Sequence, residues 1–396
     1  MKIVKVEPIL VKNPIPDLGG GTNWLFVKLT TDEGIVGWGE CNATFGRERT
    51  LIQMIKDFAE WYVIGADPHN IEMLWQTLYS GGGHYMRHPG MISTQALSGI
   101  EIACWDIKGK ALKTPVYNLL GGKINDKLRT YTYLHAAFKD IGHILDAGKL
   151  KRIAEASASL ANEGFTGIKF DPCEPSSPAP RNLSLQELRN AENFVRVVRE
   201  AVGDKADILI GTHGQLTPQS ALRFAHRVEQ YDPMWFEEPV PLENIDEMAW
   251  VADHTTIPIA TGERLISIYE FTPLIERHAA KIIQVHVGIN GLLEGRKIAA
   301  LAEAHYSPIA PWMFCGPIAA AAAVQLDACS PNFLIQEMLG KCKNGDSLLV
   351  KEYFEWKDGY ITVPDRPGLG IEMDEDAIKK FQINEKDVVL QRFTNR

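Results

Sequence analysis

Eight short apolar runs alternate with longer amphipathic segments along the middle of the chain. The runs have the length of β-strands, and the longer segments carry apolar residues at a spacing of three and four, which is typical of helices. The apolar runs are residues 130–134, 167–170, 208–210, 235–236, 257–260, 282–285, 307–310 and 333–336. The clearest helical segments are residues 150–163, 185–201, 218–229 and 292–304. Eight strands alternating with helices favour a closed α/β barrel of the TIM type over an open doubly wound sheet.

The chain has 396 residues, whereas a barrel needs about 250, so a second domain is expected. We expect residues 1–125 to form an α+β capping domain and residues 126–339 to form the barrel. Residues 340–396 are expected to return to the cap. The cap pattern consists of strands 4–11, 25–30 and 35–39 and a helix over 95–112. In the tail, segments 354–357 and 360–363 flank Asp358-Gly359 and predict a hairpin that returns to the cap.

Charge and composition narrow the class of protein. The formal net charge is −9 and no basic cluster offsets it locally, which argues against a nucleic-acid partner. No apolar stretch reaches transmembrane length and the N-terminus lacks a signal pattern, so a cytoplasmic protein without a membrane partner is expected. The six cysteines lack metal-finger spacing and are expected to be reduced thiols.

Two carboxylates follow successive apolar runs, Glu237 after 235–236 and Glu263 after 257–260. Side chains at the carboxyl ends of parallel strands converge on one mouth of a barrel. The two glutamates therefore predict a site for one divalent cation. A structural ion-pair network with Arg264 is the alternative.

Five segments resemble the mandelate racemase-like branch of the enolase superfamily, to which galactonate, gluconate and mannonate dehydratases belong. They are VGWGE at 36–40, ACWDIKGK at 103–110, LLGG at 119–122, FEEP at 236–239 and TGER at 261–264. They occur in the family's order over almost the whole chain. The resemblance implies a modified (β/α)7β barrel under an α+β cap, a small-molecule acid as substrate, and a homo-oligomer.

The resemblance also implies a common first step, in which a base removes the proton α to a carboxylate. A divalent cation, with Mg²⁺ the first choice, stabilises the resulting enediolate. In a dehydratase of a sugar acid the β-hydroxyl then leaves and a 2-keto-3-deoxy acid forms. A racemase, epimerase or cycloisomerase of a hydroxy acid is one alternative, and a ligand-binding relative without turnover is another.

The metal ligands depart from the family pattern, which supplies three acids. Gly211 stands 26 residues before Glu237, where the first acid is expected. His213 follows two residues later and is expected either to complete the ligand set or to act as acid or base. An imidazole ligand would favour Mn²⁺ or another transition metal over Mg²⁺.

The proton-transfer residues depart as well. Lys169 keeps the first position of the family's Lys-x-Lys motif, and Asp171 replaces the second as a base, a further metal ligand or a partner of Lys169. His286 and Trp312 stand where relatives carry the aspartate and histidine of a dyad. His286 is therefore a lone candidate for proton transfer, and Trp312 is expected to line the substrate pocket.

Glu337, at the end of the eighth run, corresponds to a protonated glutamate that binds the substrate carboxylate in relatives, and burial is a known way to keep a carboxyl neutral. Arg264 is expected to contact the substrate. The loops at 18–24 and 81–88 are candidate lids, because glycine-rich segments supply hinges. The resemblance implies that the first of these and the loop at 44–47 close over the substrate.

Overall fold

The computed structural model describes residues 1–16, 21–43, 46–82, 87–134, 146–173, 178–338, 340–343 and 345–388. Parts of all three candidate lids, at 18–20, 44–45 and 83–86, lie outside these residues. The N-terminal part forms an antiparallel sheet of three strands, Ile3–Lys12 (β1), Asn23–Thr31 (β2) and Val36–Cys41 (β3). Its helices are Glu48–Phe58 (α1), Ile71–Tyr79 (α2), Gly90–Ala111 (α3) and Val116–Leu119 (α4). The predicted meander and long helix are confirmed, whereas α1 and α2 were not predicted.

The glycines of the VGWGE segment allow β3 to lie directly on α3. A Cβ at Gly39 would lie 2.8 Å from the carbonyl carbon of Gly99 and 2.9 Å from the nitrogen of Ala103. Both contacts are with helix backbone, which cannot move aside as a side chain could. The glycines of this motif therefore serve the close packing of β3 on α3 rather than a catalytic role.

The central part of the chain forms a closed parallel barrel. Its strands are Lys127–Tyr133 (β4), Gly167–Phe170 (β5), Asp207–Gly211 (β6), Trp235–Glu237 (β7), Ile259–Thr261 (β8), Ile282–Ile283 (β9) and Gln336–Glu337 (β10). The order β4 to β9 is continuous, and β10 pairs with β4 to close the ring. The predicted seventh strand at 307–310 is reduced to bridges from Ile309 to Ile283 and Phe333.

Seven helices connect these strand positions, and the last strand position is followed by no barrel helix in the described residues, which gives a (β/α)7β barrel. They are Ala147–Asn162 (α5), Leu185–Val202 (α6), Pro218–Val228 (α7), Ile245–Asp253 (α8), Ser267–Glu276 (α9), Val287–Ala304 (α10) and Pro317–Ala328 (α11). The four predicted helices agree within a few residues, except that α10 begins five residues early. None of the helices in the described ranges combines the length and apolar character that a membrane crossing needs.

Residues inside the barrel form a closed apolar layer beneath its mouth. The layer contains Tyr131, Leu209, Trp235, Ala260, Ile282, Ala310 and Ile335. Alternate residues of the strands point outward to the helices, as Phe170 does against Phe194 and Phe236 against Phe224. Because side chains alternate along a strand, the residues two positions after the layer point into the mouth.

The C-terminal tail contributes to both parts of the molecule. Its elements are Val350–Glu352 (β11), Trp356–Lys357 (β12), Tyr360–Thr362 (β13), Glu372–Met373 (β14) and Glu375–Phe381 (α12). The predicted hairpin forms, but its expected place on the cap is wrong, because β13 pairs with β4 at Lys127–Arg129. Strand β4 begins before its pairing with β10 at Thr130, and this leaves an open edge for the hairpin. The segment after α12 does return to the cap, where Ile383 donates to the carbonyl of Leu10 at 2.9 Å.

A buried carboxyl group joins the cap to the barrel. Glu40, at the end of β3, accepts hydrogen bonds from the backbone nitrogens of Gly316 at 2.5 Å and Ala319 at 2.9 Å. These groups belong to the start of α11. Burial raises the pKa of Glu40 to about 8, although the two N–H donors favour the ionised form.

We expect Glu40 to make stability depend on pH. Between about pH 4.5 and 8 the folded protein holds the proton of Glu40 more tightly than the unfolded chain does, so the stability contributed by this group is lost as the pH rises through this window. Relative to Glu40→Gln, the wild type should lose up to about 1.4 kcal/mol of unfolding free energy per pH unit. Urea unfolding at several pH values measures this difference, with exposed Glu303→Gln as the control; a difference that is constant with pH would contradict the assignment.

Candidate active site

Glu237 lies at the centre of the barrel mouth and has almost no contact with solvent. It is two residues beyond the inward-pointing Trp235 on β7 and only 1 % exposed. Its Oε2 accepts from Trp235 Nε1 at 3.1 Å and from Gln284 Nε2 at 2.8 Å, and its Oε1 forms an ion pair with Lys169. Side chains from β5, from β7 itself and from the end of β9 thus fix both oxygens.

Lys169 is the buried cation of the mouth. Its side chain is 1 % exposed, and its Nζ lies 5.8 Å from the centre of the Tyr133 ring. Burial alone would lower the pKa of Lys169, but the charges of Glu237, Glu337 and Glu263 outweigh burial and leave the pKa raised. The amine is therefore held protonated, which suits charge stabilisation better than proton abstraction.

Two further acids, Glu238 and Glu263, follow the ends of β7 and β8. Burial and then the charge of Glu237 raise the pKa of Glu263, and burial followed by the charge of Glu263 raises the pKa of Glu238 to about 8. Arg264 Nη2 lies 3.2 Å from Glu263 Oε1 and 3.0 Å from Glu238 Oε2. Both oxygens of Glu238 and the Oε2 of Glu263 are buried without a hydrogen-bond partner, so the contact of Arg264 with Glu238 is an ion pair only.

His213 lies in a tight loop after β6 and contacts Asp171. Its backbone has φ of 52°, an uncommon value for a residue with a side chain. The flanking residues hold this loop, since Gly214 N donates to the carbonyl of Glu238 at 2.7 Å and Thr212 N donates to that of Glu237 at 3.1 Å. His213 Nδ1 lies 2.9 Å from Asp171 Oδ2. Burial would lower the pKa of His213, but the hydrogen bond and charge of Asp171 raise it to about 9.

Glu337 reaches the mouth from β10. It is 2 % exposed, and its Oε2 accepts from the backbone nitrogen of Met313 at 2.8 Å. Burial raises the pKa of Glu337 to about 7, with the charge of Lys169 opposing the shift. Near neutral pH this carboxyl therefore takes up a proton far more readily than an exposed glutamate does, and its role as a neutral donor stays a prediction.

His286 and Trp312 form a pair apart from the acids. Their ring centroids are 4.5 Å apart in an edge-on arrangement, and Cys315 Sγ lies 3.9 Å from His286 Nε2. Burial lowers the pKa of His286 to about 3, so the ring is neutral, and its Nδ1 is buried without a hydrogen-bond partner. His286 is thus a neutral imidazole held in place by Trp312, and no carboxylate of the described residues orients it.

The donor chemistry of the mouth fits a divalent cation. Within the described ranges no three His, Cys, Asp or Glu side chains are gathered closely enough to hold a metal ion. Yet the mouth carries five carboxyl groups, of Asp171, Glu237, Glu238, Glu263 and Glu337, against three basic groups, Lys169, Arg264 and His213. Oxygens of Asp171, Glu238 and Glu263 are buried without a partner. Since Mg²⁺ prefers carboxylate oxygens and such orphaned oxygens are costly, a bound cation would compensate them.

Several residues of the site, among them Tyr133, Trp235 and Gln284, were not predicted from the sequence. Trp235 and Gln284 hold Glu237 by hydrogen bonds to the same oxygen. Strand alternation was the available signal, because Trp235 precedes Glu237 by two residues and Gln284 follows the inward-pointing Ile282 by two.

Two family models match the chain. The model described as "Enolase C-terminal domain-like" matches residues 151–377, and the model of the mandelate racemase / muconate lactonizing enzyme N-terminal domain matches residues 20–121. The first covers the barrel from α5 onward with the site, and the second covers the cap.

Curated relatives are similar over nearly the full length. A protein of Streptomyces bingchenggensis named D-galactonate dehydratase family member is 34 % identical over 96 % of this chain and 93 % of its own. The D-galactonate dehydratase of Ralstonia nicotianae is 36 % identical over 90 % of each chain.

Solved structures show the same architecture. A putative mandelate racemase/muconate lactonizing enzyme from Burkholderia SAR-1 is 47 % identical with a TM-score of 0.89, and the match covers 96 % of this chain and 94 % of that one. Another, from Labrenzia alexandrii, is 44 % identical with a TM-score of 0.90, and the match covers 96 % of this chain and 97 % of that one. The chain belongs to the mandelate racemase-like branch of the enolase superfamily.

Proposed function

We propose that the protein is a cation-dependent dehydratase of a sugar acid, which removes the proton α to the carboxylate and expels the β-hydroxyl to give a 2-keto-3-deoxy acid. The observation that carries this proposal is the group of buried acids around Lys169 at the barrel mouth. Relatives named D-galactonate dehydratase, 36 % identical over nine-tenths of the chain, support the reaction type.

Glu237 and Glu263 would hold the cation, because both are buried strand-end carboxylates and Glu263 Oε2 is without a partner. When bound, the cation supplies positive charge beside the substrate carboxylate, where a second negative charge develops as the α-proton leaves. The protonated Lys169, paired with Glu237, would supply further fixed positive charge at the mouth. Glu337, when neutral, would donate a hydrogen bond to the substrate carboxylate.

Proton transfer would fall to the two histidines. His286 is neutral and has an unpartnered buried nitrogen, which makes it the proposed base, and the charge of a bound acid would raise its pKa from about 3. His213, whose side chain is 41 % exposed, would give a proton to the departing hydroxyl while Asp171 holds its Nδ1. Trp312 packs edge-on against the ring of His286, and the half-exposed Arg264, beside Glu238 and Glu263, would contact the hydroxyl groups of the substrate.

A screen of sugar acids in D₂O with Mg²⁺ or Mn²⁺ tests this function. We expect one or a few acids to give a 2-keto-3-deoxy acid, detected by NMR, and we expect no activity in EDTA. Exchange or inversion at the α-carbon without loss of hydroxyl would instead identify a racemase or epimerase. If no acid turns over with any cation although acids bind, the protein is a ligand-binding relative.

A further inference from the structure

Gly211 stands where the family's first acidic ligand is expected. Glycine is needed at this position because neighbouring side chains leave no room for a side chain. Its backbone does not adopt the left-handed conformation that requires glycine. A Cβ at Gly211 would instead collide with Asp171 Oδ1, and it would lie 3.6 Å from Asp171 Cγ and 3.3 Å from Lys169 Cε. The carboxylate of Asp171 therefore occupies the space into which a side chain at position 211 would project.

The register of the barrel explains how Asp171 reaches this place. Strand β5 is registered to β6 with Phe170 opposite Ile210, so Asp171 comes next to Gly211. Strand β6 is registered to β7 with Gly211 opposite Glu237. The Asp171 carboxylate thus crosses from the end of β5 into the position beside Glu237 that a side chain on β6 would fill.

The two oxygens of Asp171 have different surroundings. Oδ2 lies 2.9 Å from His213 Nδ1, whereas Oδ1 is buried and accepts no hydrogen bond. Asp171 as a whole is 4 % exposed. A carboxylate oxygen that is buried without a partner is costly, and a cation held beside Glu237 would compensate it.

We propose that Asp171 is the third carboxylate ligand of the cation, moved from β6 to β5, and that Gly211 is the space-making substitution that permits the move. The inference rests on the proposed cation site. His213 then acts from outside the ligand set, since its Nδ1 holds Asp171 by the far oxygen. A histidine in this role orients a ligand and keeps its other ring nitrogen available to the substrate.

The test returns the carboxylate from position 171 to position 211. Mn²⁺ binding is measured by electron paramagnetic resonance on the wild type and on Asp171→Ala, His213→Ala and the double variant Asp171→Ala/Gly211→Asp. We expect Asp171→Ala to weaken binding by more than the roughly 10- to 100-fold typical of an outer partner, and His213→Ala to stay within that range. The double variant should regain most of the affinity, because removal of the Asp171 carboxylate opens the space for a side chain at 211.

Gly211→Asp alone provides the matched control. It should be destabilised, since its side chain collides with Asp171, so rescue by Asp171→Ala shows that the two carboxylates compete for one place. Thermal unfolding without metal checks that each variant is folded.

Three results would overturn the inference: Mn²⁺ affinity unchanged in Asp171→Ala, no recovery in the double variant while it remains folded, or a larger loss in His213→Ala than in Asp171→Ala. Failure of the proposed function is distinguishable, because a wild type that binds Mn²⁺ but dehydrates no sugar acid would refute the function and leave the ligand assignment standing. A wild type that binds no divalent cation would refute the cation site itself. Mg²⁺ competition against Mn²⁺ in the wild type establishes that the site accepts the harder ion.

Discussion

Replacing Glu263 by glutamine is expected to abolish turnover and, at the same time, to stabilise the metal-free protein. Burial and the charge of Glu237 raise the pKa of Glu263, so the ionised form is unfavourable in the folded state without a cation. An uncharged amide removes this repulsion and can still accept from Arg264. The midpoint of thermal unfolding in EDTA should rise by about 1 to 3 °C.

The loss of activity should be large, since the amide is a far weaker ligand for a hard cation than a carboxylate. We expect turnover to fall by at least about 100- to 1,000-fold, the range seen when one preorganised electrostatic group is removed. The wild type should gain stability when Mg²⁺ is added and the variant should not. Exposed Glu243→Gln controls for the chemical change; a destabilised Glu263→Gln that still responds to Mg²⁺ would contradict the assignment.

The barrel was predictable because its strands and most of the named helices repeat a simple pattern. The helices α8, α9 and α11 were not predicted, for different reasons. Every residue of α11 is buried, so Pro317–Ala328 shows no polar face to reveal a helical period. Helices α8, Ile245–Asp253, and α9, Ser267–Glu276, are short, and α9 contains Pro273. The seventh strand was overpredicted, because the hydrogen bonds of 307–310 make only single bridges, centred on Ile309, to each neighbouring strand position and no continuous ladder.

The site was predictable where its residues follow the family's motifs, as Glu237 and Glu263 do. It was not predictable where a side chain crosses to another strand. The sequence shows that an acid is missing at Gly211 and that Asp171 is unusual, but only side-chain geometry shows that the second fills the space of the first. In the same way, the sequence places His286 at a strand end without revealing that Trp312, rather than an acid, holds its ring.

Replacing Glu237 by glutamine should have the opposite effect on stability from Glu263→Gln, although both remove a carboxylate from the same mouth. Glu237 is the direct partner of the buried Lys169, so the variant leaves an ammonium group facing an amide. Breaking a buried ion pair by removing one partner costs about 3 to 5 kcal/mol. Nearby Glu263 and Glu337 offset part of this cost, because both contribute to holding Lys169 protonated. Urea unfolding in EDTA measures the loss, and activity should be absent.

A second substitution separates the charge effect from a general loss of packing. Lys169→Met removes the orphaned ammonium and keeps most of the apolar side chain, so the double variant Glu237→Gln/Lys169→Met should recover most of the unfolding free energy while remaining inactive. Trp235 Nε1 and Gln284 Nε2 can still donate to the amide oxygen introduced at position 237, which keeps that side of the site satisfied. The coupling energy from the complete cycle should reach at least about 3 kcal/mol, the upper end of the range for residues in one network, because each single variant leaves one buried charge without its partner. A cycle in which the two losses simply add would show that the ion pair of Lys169 and Glu237 does not hold the mouth together.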